Sequence, residues 1–156
     1  MKIAVCSDEP YPVHDIVRKF LEKRGHTVIP FGSLATGLEH PWALVAEQAA
    51  RAVANSEADE GIFFCWSGTG ICMAANKIAG VRAALCSDPG QVKDARIWNH
   101  ANVLCLSNRT LSGPMAEEML EAWFDTDAGE KGGVGVKHLL EVEKRNLNQK
   151  MPAVPG

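Results

Sequence analysis

Residues 61–77 read GIFFCWSGTGICMAANK, and this stretch decides the fold class. Its first five residues are almost entirely apolar, which is typical of a strand that is buried on both faces of a parallel sheet. Glycines and small polar residues follow at once, and residues 68–77 then take on the apolar spacing of a helix. A strand, a glycine-rich turn and a helix in this order predict one unit of an α/β domain.

The same alternation of strand and helix continues on both sides of this unit. Apolar runs predict further strands, and periodic apolar residues between them predict helices. The predicted strands are residues 2–7, 26–31, 61–65, 81–86 and 102–106, the predicted helices are residues 13–24, 41–55, 68–77, 89–98 and 112–124, and residues 32–40 are predicted to be a glycine-rich loop. We therefore expect a doubly wound, five-stranded parallel sheet with helices on both faces, a Rossmann-like αβα sandwich.

The pattern changes after Thr126, so we divide the chain there. Residues 127–133, DAGEKGG, have the composition of a linker, and residues 134–150 predict a charged, moderately amphipathic helix without a strand of its own. We expect the αβα domain over residues 1–126. The linker, helix and tail over residues 127–156 would then pack on a partner subunit, and packing of the helix on its own sheet is the alternative.

Composition and charge exclude several classes of protein. The chain has 156 residues, 46% of them hydrophobic and 22% charged, which is ordinary for one globular domain. Its net charge of −3 argues against a nucleic acid or an anionic membrane as partner. Apolar runs fall well short of the roughly 18 residues of a membrane span. The five cysteines lack metal-site spacing, so we expect reduced thiols, no metal and a cytoplasmic location.

Polar and small residues follow the predicted strands, where an open parallel sheet binds its ligands. Four groups lie there: residues 7–9, residues 65–70, residues 87–88 and residues 107–109. The group that begins at Cys65 is the most informative, because its glycines let several backbone N–H groups point to one spot. An anion site of this kind favours the thiolate of a neighbouring cysteine, so Cys65 could act as a base or as a nucleophile.

Other glycine-loop chemistries do not fit residues 65–72. A dinucleotide fingerprint needs a third glycine after Gly70, and the chain continues there with Ile71-Cys72-Met73. A Walker A loop needs a lysine inside the loop, whereas the nearest one is Lys77. A phosphatase-type cysteine loop would carry an arginine where this chain has Ile71. We therefore expect no nucleotide and no cofactor, and an oxyanion hole beside a thiol.

The chain resembles the ribose-5-phosphate isomerase B and galactose-6-phosphate isomerase family along nearly its whole length. The family's cysteine-containing glycine loop and its Ala-Ala-Asn-Lys segment correspond to residues 65–70 and 74–77. Residues 80–86, GVRAALC, and residues 101–104, ANVL, match the family's next segments. The resemblance implies a cofactor-free aldose–ketose isomerase of a small sugar or sugar phosphate, of the ribose or galactose type. It also implies a homodimer in which both subunits build each active site.

The resemblance also implies a role for individual residues. Cys65 would be the base that moves a proton through an enediolate, since relatives with a glutamate base carry it where this chain has Ile71. Ser67 would hydrogen-bond the substrate, and Asp8 and Asn99 would hold sugar hydroxyls. The anion hole would comprise Gly68, Thr69, Gly70, Ile71 and Cys72.

The chain departs from the family at the residues that bind phosphate and open the sugar ring. Glu9 stands where the family has a phosphate-binding histidine, and Trp98 stands where it has the ring-opening histidine. The family's C-terminal arginine pair corresponds to Val134 and His138. Arg109 is the family phosphate contact that we can still identify in this chain. A preference for a sugar without a phosphate ester, or with a phosphate that is held differently, follows from these departures.

Two histidines could replace the missing ring-opening residue, and two functions remain open. His40 and His100 qualify by residue type, because imidazole titrates near neutral pH, and a structural role is the alternative for each. The leading interpretation is an isomerase with altered substrate choice. The other is a sugar-binding or regulatory protein that has kept the fold and lost the chemistry. The sequence does not name the sugar.

Overall fold

Five parallel strands form one sheet in the order β2-β1-β3-β5-β4 in the computed structural model, which describes residues 1–148. The strands are β1 (Lys2–Ser7), β2 (Thr27–Gly32), β3 (Glu60–Cys65), β4 (Ala83–Leu85) and β5 (Val103–Ser107). The helices are α1 (Val13–Lys23), α2 (Ser33–Thr36), α3 (Trp42–Ala54), α4 (Thr69–Ala75), α5 (Pro89–Asn99), α6 (Gly113–Asp125) and α7 (Gly133–Leu147). The predicted α/β fold with a five-stranded parallel sheet is confirmed.

Successive residues of each strand fill two cores, one on either face of the sheet. Ile62 and Phe64 of β3 belong to the core that α1, α5 and α6 cover. Phe63 and Cys65 belong to the opposite core, which α3 and α4 cover. Complete burial of a large apolar side chain contributes about 1.5–3 kcal/mol, and both faces of the strands are buried here. This two-sided burial explains why the strands are apolar throughout rather than alternating.

The order of the strands reverses between β1 and β3. β1 pairs with β2 on one side and with β3 on the other, and all three are parallel. The crevice beyond the carboxyl ends of two such strands is where open α/β sheets bind ligands. The register pairs Ser7 with Phe64, so Asp8 and Cys65 are the next residues on the two neighbouring strands. The fold therefore brings two of the predicted site residues together.

Two predicted element boundaries are wrong. Residues 32–40, predicted as a loop, contain the short helix α2. β4 is shorter than the predicted 81–86, because side chains take the place of strand partners around it. The amide of Asn76 donates to the carbonyl of Ala83 at 2.8 Å and accepts from its N–H at 2.9 Å. The N–H of Arg82 donates to Oδ1 of Asn102 at 2.7 Å. Asn76 thereby ties α4 to the outer edge of β4.

The last helix contacts its own chain without burying any residue. α7 lies against α5, and Oε1 of Glu143 accepts a hydrogen bond from the N–H of Gly80 at 2.9 Å. No residue within Gly133–Leu147 is buried, and Val134 is 90% exposed. The end of the predicted helix 134–150 and the tail MPAVPG lie outside the described residues. Among residues 1–148, no helix is both long and apolar enough to cross a membrane.

Replacement of Gly32 by alanine should destabilise the protein much more than replacement of Gly37. Both glycines have positive φ, 61° at Gly32 and 73° at Gly37. A Cβ at Gly32 would lie 2.4 Å from the carbonyl oxygen of Ser7, whereas a Cβ at Gly37 would meet nothing within 4 Å. We expect Gly37→Ala to cost about 1 kcal/mol from backbone strain alone. We expect Gly32→Ala to cost about 3 kcal/mol or more.

Urea unfolding of the two variants and the parent protein measures this difference. Equal losses of unfolding free energy in both variants would mean that β1 and the turn after β2 do not approach each other as described. The slope with urea should not change, because neither substitution alters how much surface the folded state buries.

Candidate active site

The end of β1 and the end of β3 form the floor of the crevice. Asp8 is 8% exposed and Cys65 is 5% exposed, so both side chains lie largely out of solvent. Burial raises the pKa of Asp8, and the charge of Glu9 adds to this, whereas hydrogen bonds from the backbone N–H groups of Asp8 and Glu9 act in the opposite direction. The Asp8 carboxylate, beside the Cys65 thiol, can accept hydrogen bonds from hydroxyl groups of a bound ligand.

A tight turn follows Cys65 and leads directly into α4. The carbonyl of Cys65 accepts hydrogen bonds from the N–H groups of Gly68 at 3.2 Å and Asn108 at 3.0 Å. Gly68 has a φ of 76°, and a Cβ there would lie 2.5 Å from Cδ1 of Leu85. The positive φ favours glycine here, and a larger residue would also have to push the Leu85 side chain aside. The hydroxyls of Ser67 and Thr69 hydrogen-bond each other at 2.7 Å in the same turn.

The rest of the predicted anion hole lies in the first turns of α4. A Cβ at Gly70 would lie 3.1 Å from the indole ring of Trp42, so the start of α3 closes tightly over this turn. Ile71 is buried in the core between α4 and the sheet. The predicted residues 67–72 therefore form one continuous turn and helix start beside Cys65, bounded by Trp42.

Cys72 is the cysteine whose pKa moves close to neutrality. A hydrogen bond with the Cys105 thiol lowers the pKa of Cys72 to about 7, against the effect of burial, and the Leu85 N–H and the Asn76 amide contribute. The Asn76 amide nitrogen lies 3.6 Å from Sγ of Cys72. Burial raises the pKa of Cys105 well above its ordinary value. Spacing in the sequence gives no signal for this effect, because Cys72 and Cys105 are distant in the chain.

Glu9, Tyr11 and Trp66 line the mouth of the crevice. The Tyr11 hydroxyl donates to Oε2 of Glu9 at 2.9 Å, and the rings of Tyr11 and Trp66 lie 6.1 Å apart. Desolvation and this bond to Glu9 raise the pKa of Tyr11. Trp66 is half-exposed. Sequence reasoning missed Tyr11, because a lone tyrosine after a strand carries no pattern of its own.

His40 and Arg109 also lie at this carboxyl edge of the sheet. The N–H of His40 donates to the carbonyl of Asp8 at 2.9 Å, and its ring hydrogen-bonds Oγ1 of Thr36 at 2.7 Å. The N–H of Arg109 donates to the carbonyl of Trp66 at 3.0 Å, and the Arg109 side chain is exposed. Both residues are therefore close enough in the fold to serve a ligand beside Asp8 and Cys65.

Three other predicted residues, Trp98, Asn99 and His100, lie at the opposite edge of the sheet in the same chain. They end α5, which starts after β4 and runs back for eleven residues, or roughly 16 Å. His100 has a φ of 48°, and its ring lies 2.6 Å from the carbonyl of Lys131. Trp98 is 52% exposed. The expectation that these residues join Asp8 and Cys65 does not hold within one chain, since α5 runs antiparallel to the strands.

His138, the last predicted contact, is also remote from the crevice within one chain. It lies on α7 with an exposed side chain, 3.9 Å from Oε2 of Glu141. α7 itself contacts α5. Within residues 1–148, histidine, cysteine and acidic side chains do not cluster in threes that could hold a metal ion.

Sequence reasoning also missed a buried polar chain behind the crevice. Ser7, His14 and Asn108 are 0%, 6% and 8% exposed, and hydrogen bonds connect them. His14 occupies a core-facing position of α1, where a helix pattern predicts an apolar residue. Its partner Asn108 is 94 residues away, so spacing in the sequence gave no signal for this pair.

Comparison with known proteins agrees with this geometry. The family described as "Ribose/Galactose Isomerase" matches residues 3–143. Ribose-5-phosphate isomerase B of Escherichia coli is 36% identical over 134 residues, which cover 85% of this chain and 88% of that protein. D-erythrulose-4-phosphate isomerase of Pectobacterium atrosepticum is 32% identical over 138 residues, which cover 88% of this chain and 90% of that one.

A solved structure supports the same assignment. Ribose-5-phosphate isomerase B of Clostridium thermocellum superimposes with a TM-score of 0.86 at 33% identity, over 94% of this chain and 99% of that one. The chain therefore belongs to the ribose/galactose isomerase family, and it is an aldose–ketose isomerase.

Proposed function

We propose that the enzyme interconverts a small aldose and its ketose by proton transfer through an enediolate, with Cys65 as the base. The observation that carries this proposal is the position of Cys65, which ends β3 next to Asp8 and immediately before the turn of residues 67–72. The Cys65 thiolate would take the proton from the hydroxyl-bearing carbon beside the carbonyl and return it to the former carbonyl carbon. The hydroxyl proton moves from one oxygen to the other in the same conversion.

The developing negative charge on the substrate oxygen needs nearby donors. The N–H groups of Gly68 and Cys72 already donate to the carbonyls of Cys65 and Gly68, at 3.2 Å and 3.3 Å. The donors proposed for the substrate oxygen are therefore the backbone N–H groups of residues 69–71 and the Ser67 hydroxyl. One such donor contributes about 3 kcal/mol in a transition state of this kind. Asp8 accepts a sugar hydroxyl and fixes the carbon chain with respect to the thiol.

His40 is the better candidate for ring opening within one chain. Its backbone is bonded to Asp8, and its ring is bonded to the Thr36 hydroxyl, which leaves the imidazole partly exposed at the carboxyl edge of the sheet. His100 is held against Lys131 at the other edge. Imidazole can exchange a proton with a ring oxygen near neutral pH.

Replacement of Cys65 by serine should abolish turnover without unfolding the protein. A serine hydroxyl is a far weaker base, so we expect the rate of deuterium incorporation from D2O into the substrate to fall by orders of magnitude. The melting temperature should stay within a few degrees, a change of roughly 1 kcal/mol or less.

Cys72→Ser is the matched control, because Cys72 is the neighbouring thiol with a pKa of about 7. We expect it to keep most of the activity, since Cys65 is the proposed base and a serine at position 72 keeps the backbone hydrogen bond from this residue to Gly68. If Cys65→Ser remains active and Cys72→Ser does not, the assignment of the base is wrong.

The substrate is a small sugar derivative, and we propose that the enzyme does not bind a terminal phosphate dianion at residue 9. Glu9 and Asp8 place two carboxyl groups side by side at the end of β1, and the Tyr11 hydroxyl is committed to Glu9. A sugar phosphate carries nearly two negative charges near neutral pH. The related enzymes named above act on ribose 5-phosphate and erythrulose 4-phosphate, so phosphate here would need another cation, for which Arg109 is the candidate.

The measurement is kcat/KM for matched pairs such as ribose and ribose 5-phosphate. We expect a preference for the phosphorylated member of less than about a hundredfold, because the charged hydrogen bonds of a clamp contribute about 1.5–3 kcal/mol each and several are replaced here. Glu9→Gln should raise the ratio of phosphorylated to free sugar by about tenfold, since it removes one repulsion.

Glu22→Gln controls for net charge, because Glu22 is exposed on α1. It should leave the ratio unchanged. A preference for the phosphorylated sugar above a hundredfold in the parent enzyme would rule out this part of the proposal.

We further propose a homodimer in which α5 and α7 of each subunit reach the partner's crevice. Large apolar side chains are exposed on α4, β4, α5 and α7; they are Met73, Leu85, Trp98, Leu139 and Leu140. Leu85 and Leu139 line one groove of about 490 Å³ together with Asn99 and Arg82. Exposed apolar surface of this kind favours association, and a partner would supply Asn99 and His138 to the site.

Deletion of residues 134–156 should lower activity and dimer stability together. A chain that ends at Asn148 is the control, since it keeps all of α7, and we expect it to behave like the parent protein. Light scattering gives the oligomeric state, and deuterium exchange gives the activity. If the truncated protein is monomeric and turns over substrate at the normal rate, the proposal that both subunits build each active site is wrong.

A further inference from the structure

A chain of four hydrogen bonds runs behind the crevice, from the backbone of Tyr11 to the backbone of Glu9. The Tyr11 N–H donates to Nδ1 of His14 at 3.2 Å, and Nε2 of His14 lies 2.8 Å from Oδ1 of Asn108. The Asn108 amide donates to Oγ of Ser7 at 3.1 Å, and the Ser7 hydroxyl donates to the carbonyl of Glu9 at 2.7 Å. The three side chains between the ends are almost completely buried.

The two backbone ends fix the direction of every bond in this chain. A backbone N–H can only donate, so Nδ1 of His14 must be the unprotonated nitrogen and Nε2 must carry the hydrogen. Asn108 therefore accepts through Oδ1 and donates through Nδ2, and Ser7 passes its hydrogen to the Glu9 carbonyl. The four bonds can form together only when His14 is neutral and the side chain of residue 108 is an amide, which both accepts and donates.

Asn108 also holds the strand that carries the proposed base. Its backbone N–H donates to the carbonyl of Cys65 at 3.0 Å, while its side chain holds Ser7 at the end of β1. One residue thus connects the two strands at the point where Asp8 and Cys65 follow them.

We propose that Asn108 and His14 are positioning residues, which set the distance from the Cys65 thiol to the carboxylates of Asp8 and Glu9. The inference rests on the proposed function, in which Cys65 moves the proton and Asp8 holds the substrate. A shift of about 1 Å between a base and the group that orients its substrate costs roughly a hundredfold in rate. Neither residue touches the substrate, and their effect passes through the ends of β1 and β3.

The surroundings of His14 keep its ring neutral. Burial lowers the pKa of His14 from the ordinary value of 6.5, and the bond to Asn108 and the charge of Asp15 oppose this only in part. The Phe64 ring of β3 lies 4.7 Å away, and the Tyr11 ring lies 6.1 Å away. Asp15 on the same helix is paired with Arg18. Protonation would place a second N–H against the Tyr11 N–H and break the chain.

The sign of the pH effect follows from this shift. The unfolded state binds a proton at His14 near pH 6.5, and the folded state binds it only at lower pH. The contribution of His14 to stability is therefore complete above pH 6.5 and declines as the pH falls below it. The positioning effect should decline over the lower part of the same range, as the folded protein takes up the proton.

The first test is His14→Leu, which keeps an apolar contact with Phe64 and removes both ring nitrogens. D-ribulose 5-phosphate and D-erythrulose 4-phosphate serve as probes, with deuterium exchange from D2O as readout. We expect kcat/KM at pH 8 to fall about tenfold. The ratio of variant to parent should rise toward one as the pH is lowered below 6.5, because the parent also loses the hydrogen-bond chain once His14 takes up a proton. A ratio that stays constant with pH would overturn the proposal.

The second test is Asn108→Asp, which keeps the acceptor and the size of the side chain but removes the donor to Ser7. We expect kcat/KM at pH 8 to fall at least tenfold, and the pKa of His14, followed by NMR, to rise beside the new carboxylate. Asn102→Asp is the matched control. Asn102 likewise accepts through Oδ1 and donates through Nδ2, to Gly80 at 2.9 Å, but at the amino edge of the sheet. It should lose stability yet keep kcat/KM within twofold of the parent.

The tautomer of the His14 ring can be determined by NMR without an activity assay. The nitrogen spectrum of His14 should show the tautomer that carries hydrogen on Nε2 at pH 7.5. Hydrogen on Nδ1, or equal activity losses in Asn108→Asp and Asn102→Asp, would overturn the inference. A fully active Cys65→Ser enzyme would instead contradict the assignment of the base, so the two failures can be told apart.

Discussion

The parallel pairing of β1 with β3 is the interaction on which the rest of the site depends. Its register sets Ser7 against Phe64, so a carboxylate and a thiol follow side by side at one edge of the sheet. A slip of one residue would turn every side chain of β3 to the other face and would bury Trp66 in place of Cys65. The two-sided apolar cores make such a slip very costly, and this stability holds the crevice in place.

Small residues then keep the crevice narrow. Gly68 and Gly70 allow the turn after β3 to pass between β4 and the Trp42 ring, and Gly32 lets the turn after β2 approach Ser7. A Cβ would lie 2.4 Å from the carbonyl oxygen of Ser7 at Gly32, and 3.1 Å from the Trp42 ring at Gly70. Backbone N–H groups can therefore approach a ligand near Cys65, which is the requirement for stabilising negative charge on a substrate oxygen.

The two strand ends that form the crevice differ in their polar groups. Asp8 and Glu9 carry negative charge at the end of β1, while residues 67–72 offer hydrogen-bond donors at the end of β3. The buried chain through His14 and Asn108 joins these sides without adding charge, because its members are neutral in the only arrangement that satisfies them. A neutral buried network avoids the desolvation cost of buried ions while still fixing distances.

The sequence by itself predicted the five-stranded parallel sheet, the succession of strands and helices along the chain, and a candidate site at the turn after Cys65, since these depend on local periodicity and on a short motif after one strand. Local patterns did not predict α2 or the short β4, where side chains such as Asn76 replace strand partners. Only the tertiary structure placed Asn99 and His100 at the edge of the sheet opposite Cys65, since the direction of α5 decides at which edge its last residues lie. It alone paired His14 with Asn108 and Cys72 with Cys105, because contacts between residues far apart in the chain leave no mark on local spacing.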